Sequence, residues 1–375
     1  MSLEIVEVLS VITVLQLILL SILILSHKKG RKYSNKILAA FLFSSALPII
    51  EYILWRFRVE IYPQFPHIFY VAYMFVFLWG PLIFLYTKSL ITAGFTFKRK
   101  DLIHFIPFLM FVFYMIFDFH LQSTAIKREL LSGQGALVIW EKRIINAFLH
   151  LQILFYLILS LRAVKNYGNK IKNFHSDIER VKLNWLNFIL IGFICIWSVD
   201  LAYFVLWGTK YSYFGEILDY LSLSITFIFA CIIVYKGLNF PEIFSGIDIR
   251  PKYERSTLTE SDAESYLMKL KNLMKEEKPY LDPFLNINQL ARKLNMQPRH
   301  LSQILNEYLH QKFYDFVNSY RIEEAKKMLL DSSNEKTTVL EVLLDAGFNS
   351  KSAFNNAFKK CTGVTPSEFR KINRS

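Results

Sequence analysis

Up to about residue 244 the chain is built of long apolar runs; beyond residue 249 no apolar run exceeds a few residues and polar periodicity takes over. Seven runs stand out, over 5–25, 37–57, 68–86, 102–119, 144–161, 186–206 and 217–235. About 20 apolar residues of helix cross the hydrocarbon core of a bilayer, so each run predicts a membrane span. Core helices of a water-soluble protein need a polar face, and these runs have almost none. Loop charges test the count separately. The loops after the first, third and fifth runs hold fifteen Lys and Arg residues, while the alternate loops hold seven. The positive-inside rule then puts the N-terminus outside and, after seven crossings, the C-terminal part in the cytoplasm. The first run reads as a retained anchor, not a cleaved signal: Glu4 and Glu7 lead it where a signal carries Lys or Arg, and no small-residue cleavage site follows.

The polar part has its own punctuation. Pro241 ends the last span, since proline cannot continue a helix. Ser261 with Glu264 reads as a capping box, and Tyr266, Leu267, Leu270, Leu273 and Met274 share one helical face. That face either packs on its own domain or pairs with a second chain, giving a homodimer through residues 261–277. Further on, Asn286 with Gln289 caps a helix whose apolar face is Ile287, Leu290, Ala291 and Leu294. A short turn and Pro298 then open a second helix through Leu301, Ile304, Leu305 and Tyr308, which makes a helix-turn-helix with small Ala291 at the crossing. After a longer amphipathic helix from Phe313 to Leu330 the pattern recurs: Thr338 with Glu341, a left-handed turn at Gly347, Ser350 opening a helix through Phe354 and Phe358, and a last capped helix at Thr365-Pro366-Ser367-Glu368. Two helix-turn-helix units on one body present two recognition helices to neighbouring major grooves.

The predicted fold is all-α: a seven-helix transmembrane bundle over residues 1–240, a connector with an amphipathic helix over 241–280, and a cytoplasmic domain with two helix-turn-helix units over 281–375. Residues from about 282 to 370 resemble the AraC/XylS-type DNA-binding domain. The resemblance is carried by Leu290-Ala291, Arg299-His300-Leu301-Ser302, Tyr320-Arg321-Ile322-Glu323-Glu324-Ala325, Gly347-Phe348-Asn349-Ser350, and Phe358-Lys359-Lys360 through Thr365-Pro366. The front is similar to the seven-span module that precedes such domains in some bacteria, through Gly80-Pro81 with Tyr86 and His104 with Pro107; Lys252-Tyr253-Glu254-Arg255-Ser256 is similar to its connector. The resemblance implies a multi-pass protein of the bacterial inner membrane and a double-stranded DNA partner beside the lipid bilayer. The family usually has a small residue where Leu343 stands and often a larger one near Ala346, so the second crossing is expected to widen unless the two changes compensate in volume.

On the outward faces of the two recognition helices stand Arg299, Ser302, Gln303 and Asn306, and then Lys351, Ser352, Asn355 and Asn356; these are the candidate base readers. Arg299 carries the fork suited to guanine and Gln303 the amide suited to adenine. Ser350, Lys359, Lys360 and Arg370 are the candidate phosphate contacts. His300, beside inward Leu301, reads as a packed histidine at the edge of the core. In the membrane part, ionisable residues are functional candidates by default, which singles out Glu51, His104, His150, Asp200 and Asp219 as a sensor site for an unknown small-molecule or protein signal. Pro48, Pro81 and Pro107 are candidate kinks.

Composition narrows the rest. The net charge of +13 divides unevenly: residues 247–375 hold 21 basic against 17 acidic residues and the front 23 against 14, so most of the basicity belongs to the membrane loops. No zinc-protease, nucleophile-elbow or Walker motif occurs, and the three cysteines form no metal pair, so neither catalysis nor a cofactor or metal is expected. The function this supports is a membrane-embedded one-component transcription regulator. The rival is a membrane receptor or transporter whose helical tail is a protein-interaction module.

Overall fold

Seven helices long and apolar enough to cross a membrane fall where the apolar runs predict them. The structure, a computed structural model, describes residues 4–26, 32–92, 94–133, 139–176, 183–207, 209–239, 260–331 and 337–374. Two compact units divide the chain: Met1–Val164 with Leu183–Arg250, and Lys165–Lys182 with Pro251–Ser375. The described residues hold no strand, only one isolated bridge between His175 and Asn286. The stop at Phe240-Pro241, the connector motif over 252–256, and the loop residues Lys28, Lys29, Arg31, Arg180 and Lys182 lie outside the described residues.

In the first unit, α1 (Ile5–Ser26) and α2 (Lys32–Arg56) are continuous, and α3 (Arg58–Ile61) is a single turn. The third span is broken: 3-10 turns at Pro66–Ile68 and Tyr73–Leu78 precede α4 (Trp79–Ile91). The fourth enters through a 3-10 segment at Arg99–Phe105, runs as α5 (Ile106–Met115) and leaves through a π turn at Ile116–His120. Then come α6 (Thr124–Ser132), α7 (Ile139–Ile171), α8 (Asn184–Leu206) and α9 (Gly215–Asn239). The break in the third span has a local cause. Tyr70 takes a positive φ of 65°, and its N–H, no longer held by a helix, donates to Glu51 Oε1 at 2.6 Å. Away from water a freed backbone donor needs such an acceptor. α1 packs along α2 and α9, α2 along α4, and α8 along α9. A Cβ on Gly192 would fall inside the Phe229 ring, so glycine is what lets α8 and α9 meet there. Of the expected kinks, Pro48 lies inside the continuous α2, while Pro81 and Pro107 fall in the first turns of α4 and α5, directly after 3-10 segments.

The second unit contains α10 (Glu260–Glu276), α11 (Ile287–Lys293), α12 (Pro298–Gln303), α13 (Phe313–Leu330), α14 (Val339–Asp345), α15 (Lys351–Thr362) and α16 (Pro366–Arg374). α10 is described from Glu260 onward, and the side chain of Ser261, the expected cap, lies outside the described residues. Ala263, Leu270 and Met274 are buried, and Leu270 and Met274 belong to the first core of this unit. Leu270, Leu273 and Met274 of the stripe are thus used within their own domain, while Tyr266 and Leu267 stay half-buried.

α13 divides its face between two cores. Phe313, Phe316 and Val317 pack with α11 and α12; Ile322, Ala325 and Leu329 pack with α14 and α15. Full burial of a side chain the size of Phe354 or Phe358 contributes about 1.5–3 kcal/mol each. At the division stands Arg321, 1% exposed. Its Nε donates to Tyr280 O at 2.6 Å, Nη1 to Asn318 Oδ1 at 3.2 Å, and Nη2 to Asp282 O at 2.8 Å and Ser176 Oγ at 3.2 Å. Its guanidinium also lies over the Phe348 ring, 5.5 Å from the centroid.

Two outcomes test this packing. Gly347 has φ 86°, and a Cβ there would lie 2.6 Å from Tyr280 O and 2.8 Å from Leu281 O. Gly347→Ala is expected to destabilise the second helix-turn-helix by about 2 kcal/mol or more, read as faster hydrogen exchange in α14 and α15 of the full chain. The second concerns pH. Burial pushes the Glu324 carboxyl up, but the Lys278 ammonium at 2.6 Å outweighs it and holds the group below its ordinary range. A carboxylate held low adds stability that is complete above the unfolded-chain value of about 4.3 and is lost as pH falls through the lower folded value. The tail's melting temperature should therefore drop more steeply on acidification in the wild type than in Glu324→Gln.

Candidate functional site

Three of the four helices of the two helix-turn-helix units start on a side-chain cap that their own sequence supplies; α12 instead opens on Pro298, with no side-chain cap at Gln297. Asn286 Oδ1 accepts from Asn288 N and Gln289 N while Gln289 Oε1 accepts from Asn286 N; Thr338 and Glu341 exchange the same pair of bonds. Ser350 Oγ accepts from Ala353 N at 3.2 Å, and Thr365 with Glu368 closes a third box ahead of α16. In the first turn-over, Asn295 adopts a left-handed φ of 49° and Ala291 is fully buried at the crossing. In the second, Leu343 and Ala346 are both buried in one core, so the large and small residues share the available volume. The inward residues are as expected: Leu301, Ile304 and Leu305 in one unit, Phe354 and Phe358 in the other. His300 is half-buried beside Leu301.

The outward candidates are not equivalent. α12 is only six residues long and passes into a π turn at Ile304–Tyr308, where a regular helix was expected to continue. Asn306 falls in that turn and donates back to Ser302 O at 2.7 Å and Ser302 Oγ at 3.3 Å. Gln303 Nε2 donates to Glu307 Oε2 at 2.8 Å. Arg299 is half-buried, and its Nε has no hydrogen-bond partner among the described residues. In the second unit Lys351, Ser352 and Asn356 are exposed and Asn355 is half-buried. Among the phosphate candidates Lys359 is exposed, Arg370 is half-buried, and Ser350 Oγ already serves as the cap of α15. Lys360 Nζ donates to Asp315 Oδ1 at 2.7 Å, and this bond holds the ammonium above its ordinary range.

With that geometry in view, the comparisons are direct. A helix-turn-helix domain family matches residues 290–372. An uncharacterized HTH-type transcriptional regulator of Staphylococcus aureus (strain COL) is 34% identical over 86 residues, 23% of this chain and 11% of that protein. YtdP of Bacillus subtilis (strain 168), also named as an HTH-type transcriptional regulator, is 31% identical over 91 residues, 24% of this chain and 11% of it. The Msm operon regulatory protein of Streptococcus mutans is 26% identical over 111 residues, 30% of this chain and 38% of it. The C-terminal domain is an AraC-type helix-turn-helix domain. The match spans only a minor part of each of these relatives, and the first unit lies outside residues 290–372 of the family match.

The AraC-type domain has a further element that sequence reasoning missed. The segment between the fifth and sixth spans, counted there only for its positive charge, contributes residues 165–176 to the compact unit of this domain. Ile287 N donates to Phe174 O at 3.1 Å, Tyr314 N to Lys172 O at 2.9 Å, and Ser176 Oγ to Leu285 O at 2.5 Å. Ile171 and Tyr167 are buried. The bonds run mostly to backbone carbonyls, which no side-chain pattern announces.

In the membrane unit the five sensor candidates separate. Glu51 supports the broken third span, as described, and His104 Nδ1 pairs with Tyr156 OH at 3.1 Å with its ring against Phe84. Neither lines the cavity that the other three share. His150, Asp200 and Asp219 do: with Tyr73, Asn146 and Ser222 they border one cavity of about 600 Å³ among α1, α2, α7, α8 and α9. Tyr73 OH donates to Asn146 Oδ1 at 3.1 Å and Ser222 Oγ to Asp200 Oδ1 at 2.6 Å.

The difference between Arg299 and Lys359 is open to measurement. Arg299→Ala should relax preference at one base position at a cost of about 1–3 kcal/mol, whereas Lys359→Ala should weaken all sequences alike and flatten the salt dependence. Selection from a random duplex library followed by titration at several salt concentrations reads both.

Proposed function

We propose that the protein is a membrane-embedded transcription regulator that binds promoter DNA sequence-specifically through both helix-turn-helix units and takes its signal at the membrane bundle. The observation that carries this is the AraC-type domain at the end of a chain with seven apolar spans, its two recognition helices each seated on buried residues, Leu301, Ile304 and Leu305 in one and Phe354 and Phe358 in the other. The base readers are Arg299, Ser302, Gln303 and Asn306 with Lys351, Ser352, Asn355 and Asn356; Ser350, Lys359, Lys360 and Arg370 hold phosphate. The names of the relatives as transcriptional regulators support the same assignment.

The proposed topology is N-terminus outside and C-terminal domain in the cytoplasm of the bacterial inner membrane, on the loop charges of fifteen against seven. Residues 1–240 form the membrane domain, 241–280 the connector and 281–375 the DNA-binding domain, to which residues 165–176 are added. The sensor is the cavity with His150, Asp200 and Asp219. α7 is the relay we favour over the 261–277 helix, because Lys142 and His150 of α7 border the cavity while its last turns, from Lys165 to Ile171, belong to the DNA-binding unit.

The deciding experiment is binding of the full chain in nanodiscs to a pool of genomic duplex fragments. Enrichment of a few fragments over bulk competitor, with affinity falling steeply as salt rises, is the expected result. No preference for any fragment over competitor would sink the assignment and return the tail to the role of a protein-interaction module.

A further inference from the structure

The cavity of the membrane unit is graded from one end to the other. α2 passes it from Phe41 to Tyr52 and α8 from Phe193 to Trp207, while α7 passes it from Lys142 to Ile153 and α9 from Asp219 to Phe229. Successive spans run in opposite directions, so the polar ends Tyr52, Lys142, Trp207 and Asp219 gather at one end of the cavity. Phe41, Ile153, Phe193 and Phe229 gather at the other. Under the proposed topology the polar end faces outward.

Charge gives the ligand its class. Two carboxylates, Asp200 and Asp219, border the cavity against one ammonium, Lys142. Lys142 lies eight residues from His150 along α7, a rise of about 12 Å, and so belongs to the mouth. Asp200 is half-buried within an apolar span, six residues before its last residue, Leu206. Its one hydrogen-bond donor among the described residues is Ser222 Oγ, and no described cation pairs with it. A carboxylate so placed, away from bulk water, lacks the counter-charge that buried charges ordinarily have. Around it the wall is aromatic, with Tyr73, Trp79, Trp197, Tyr203 and Phe204, the environment in which a cation over a ring face is favoured. His150 Nδ1 lacks a partner among the described residues; in the tautomer with the proton on Nε2 it accepts a second N–H.

We propose that this cavity binds an amphipathic organic amine, its ammonium seated against Asp200 and its apolar body toward Phe193 and Phe229. This rests on the sensor assignment only for its consequence, not for binding itself. A volume of about 600 Å³ lies within the usual range for small-molecule pockets, roughly 300–1,000 Å³.

The test compares three probes that share an indole and differ in the head group: tryptamine, neutral tryptophol and the anion indole-3-propionate. Each is titrated by calorimetry into the full chain in nanodiscs, with empty nanodiscs subtracted. Tryptamine should bind saturably, and the other two at least about 30-fold more weakly. Asp200→Asn should lower tryptamine affinity by a similar factor, and Ser222→Ala, which keeps the carboxylate, by less. Melting of each variant without ligand establishes that it is folded; should Asp200→Asn fail to fold, the head-group comparison on the wild type decides alone. Equal affinity for the amine and the alcohol, preference for the anion, absence of saturable amine binding, or wild-type affinity in a folded Asp200→Asn overturns the assignment. A reporter driven by a promoter fragment that the protein selects separates the two ideas: amine binding with no change in reporter output removes the sensor role and leaves the site.

Discussion

Everything in the DNA-binding unit is arranged around one guanidinium with no access to water. A buried arginine must find acceptors for a fixed planar set of N–H groups, and Arg321 takes them from Tyr280 O, Asp282 O, Asn318 Oδ1 and Ser176 Oγ. Those acceptors belong to the strap ahead of α11, to α13 itself and to the segment after the fifth span. Phe348, under the guanidinium, belongs to the turn of the second helix-turn-helix. The same strap presents Tyr280 O and Leu281 O so close to Gly347 that no side chain fits between them. One residue at the boundary between the two cores thus fixes how both units seat on α13. A lysine, with a point charge and no fork, has no equivalent arrangement.

The membrane unit obeys the same rule at several places and relaxes it at others. Glu51 answers a freed backbone N–H, Arg56 reaches Glu7 at 3.0 Å and Glu4 at 2.8 Å, and buried Lys127 donates to His120 O at 2.6 Å. In each case a polar group that apolar surroundings would penalise has been matched within the protein. Asp200 has a hydroxyl and a cavity instead. Glu51 also keeps one oxygen, Oε2, without a partner among the described residues, so what separates it from Asp200 and His150 is the space beside them, and the cavity therefore carries the ligand proposal.

What the sequence disclosed and what it concealed follow from the range of the interactions involved. The caps at Asn286, Thr338, Ser350 and Thr365 were legible because donor and acceptor lie within three residues, and the turn at Gly347 because its φ excludes other side chains. The spans were legible because a bilayer demands length and apolarity, which need no partner to recognise. Concealed were the 3-10 break before α4, whose support by Glu51 comes from 19 residues away, and the attachment of residues 165–176, made through carbonyls across 109 residues in the case of Ser176 and Leu285. The five ionisable residues of the spans looked alike in sequence; only packing divides them into two with structural partners and three on a cavity.

The first recognition helix shows why a list of outward side chains does not rank its own members. Gln303 and Asn306 make hydrogen bonds within the protein, to Glu307 and Ser302, so contact with a base replaces one bond by another and the net gain is small. Arg299 makes no side-chain hydrogen bond among the described residues, and because its Nε is itself buried, a bidentate pair with guanine falls to the two terminal nitrogens and is added to the free state instead of traded for part of it. Specificity is a difference between sequences, and it is largest where the wrong base leaves a donor unmet. On that ground Arg299 outranks its neighbours in the first unit, while in the second the exposed Lys351, Ser352 and Asn356 enter on more equal terms.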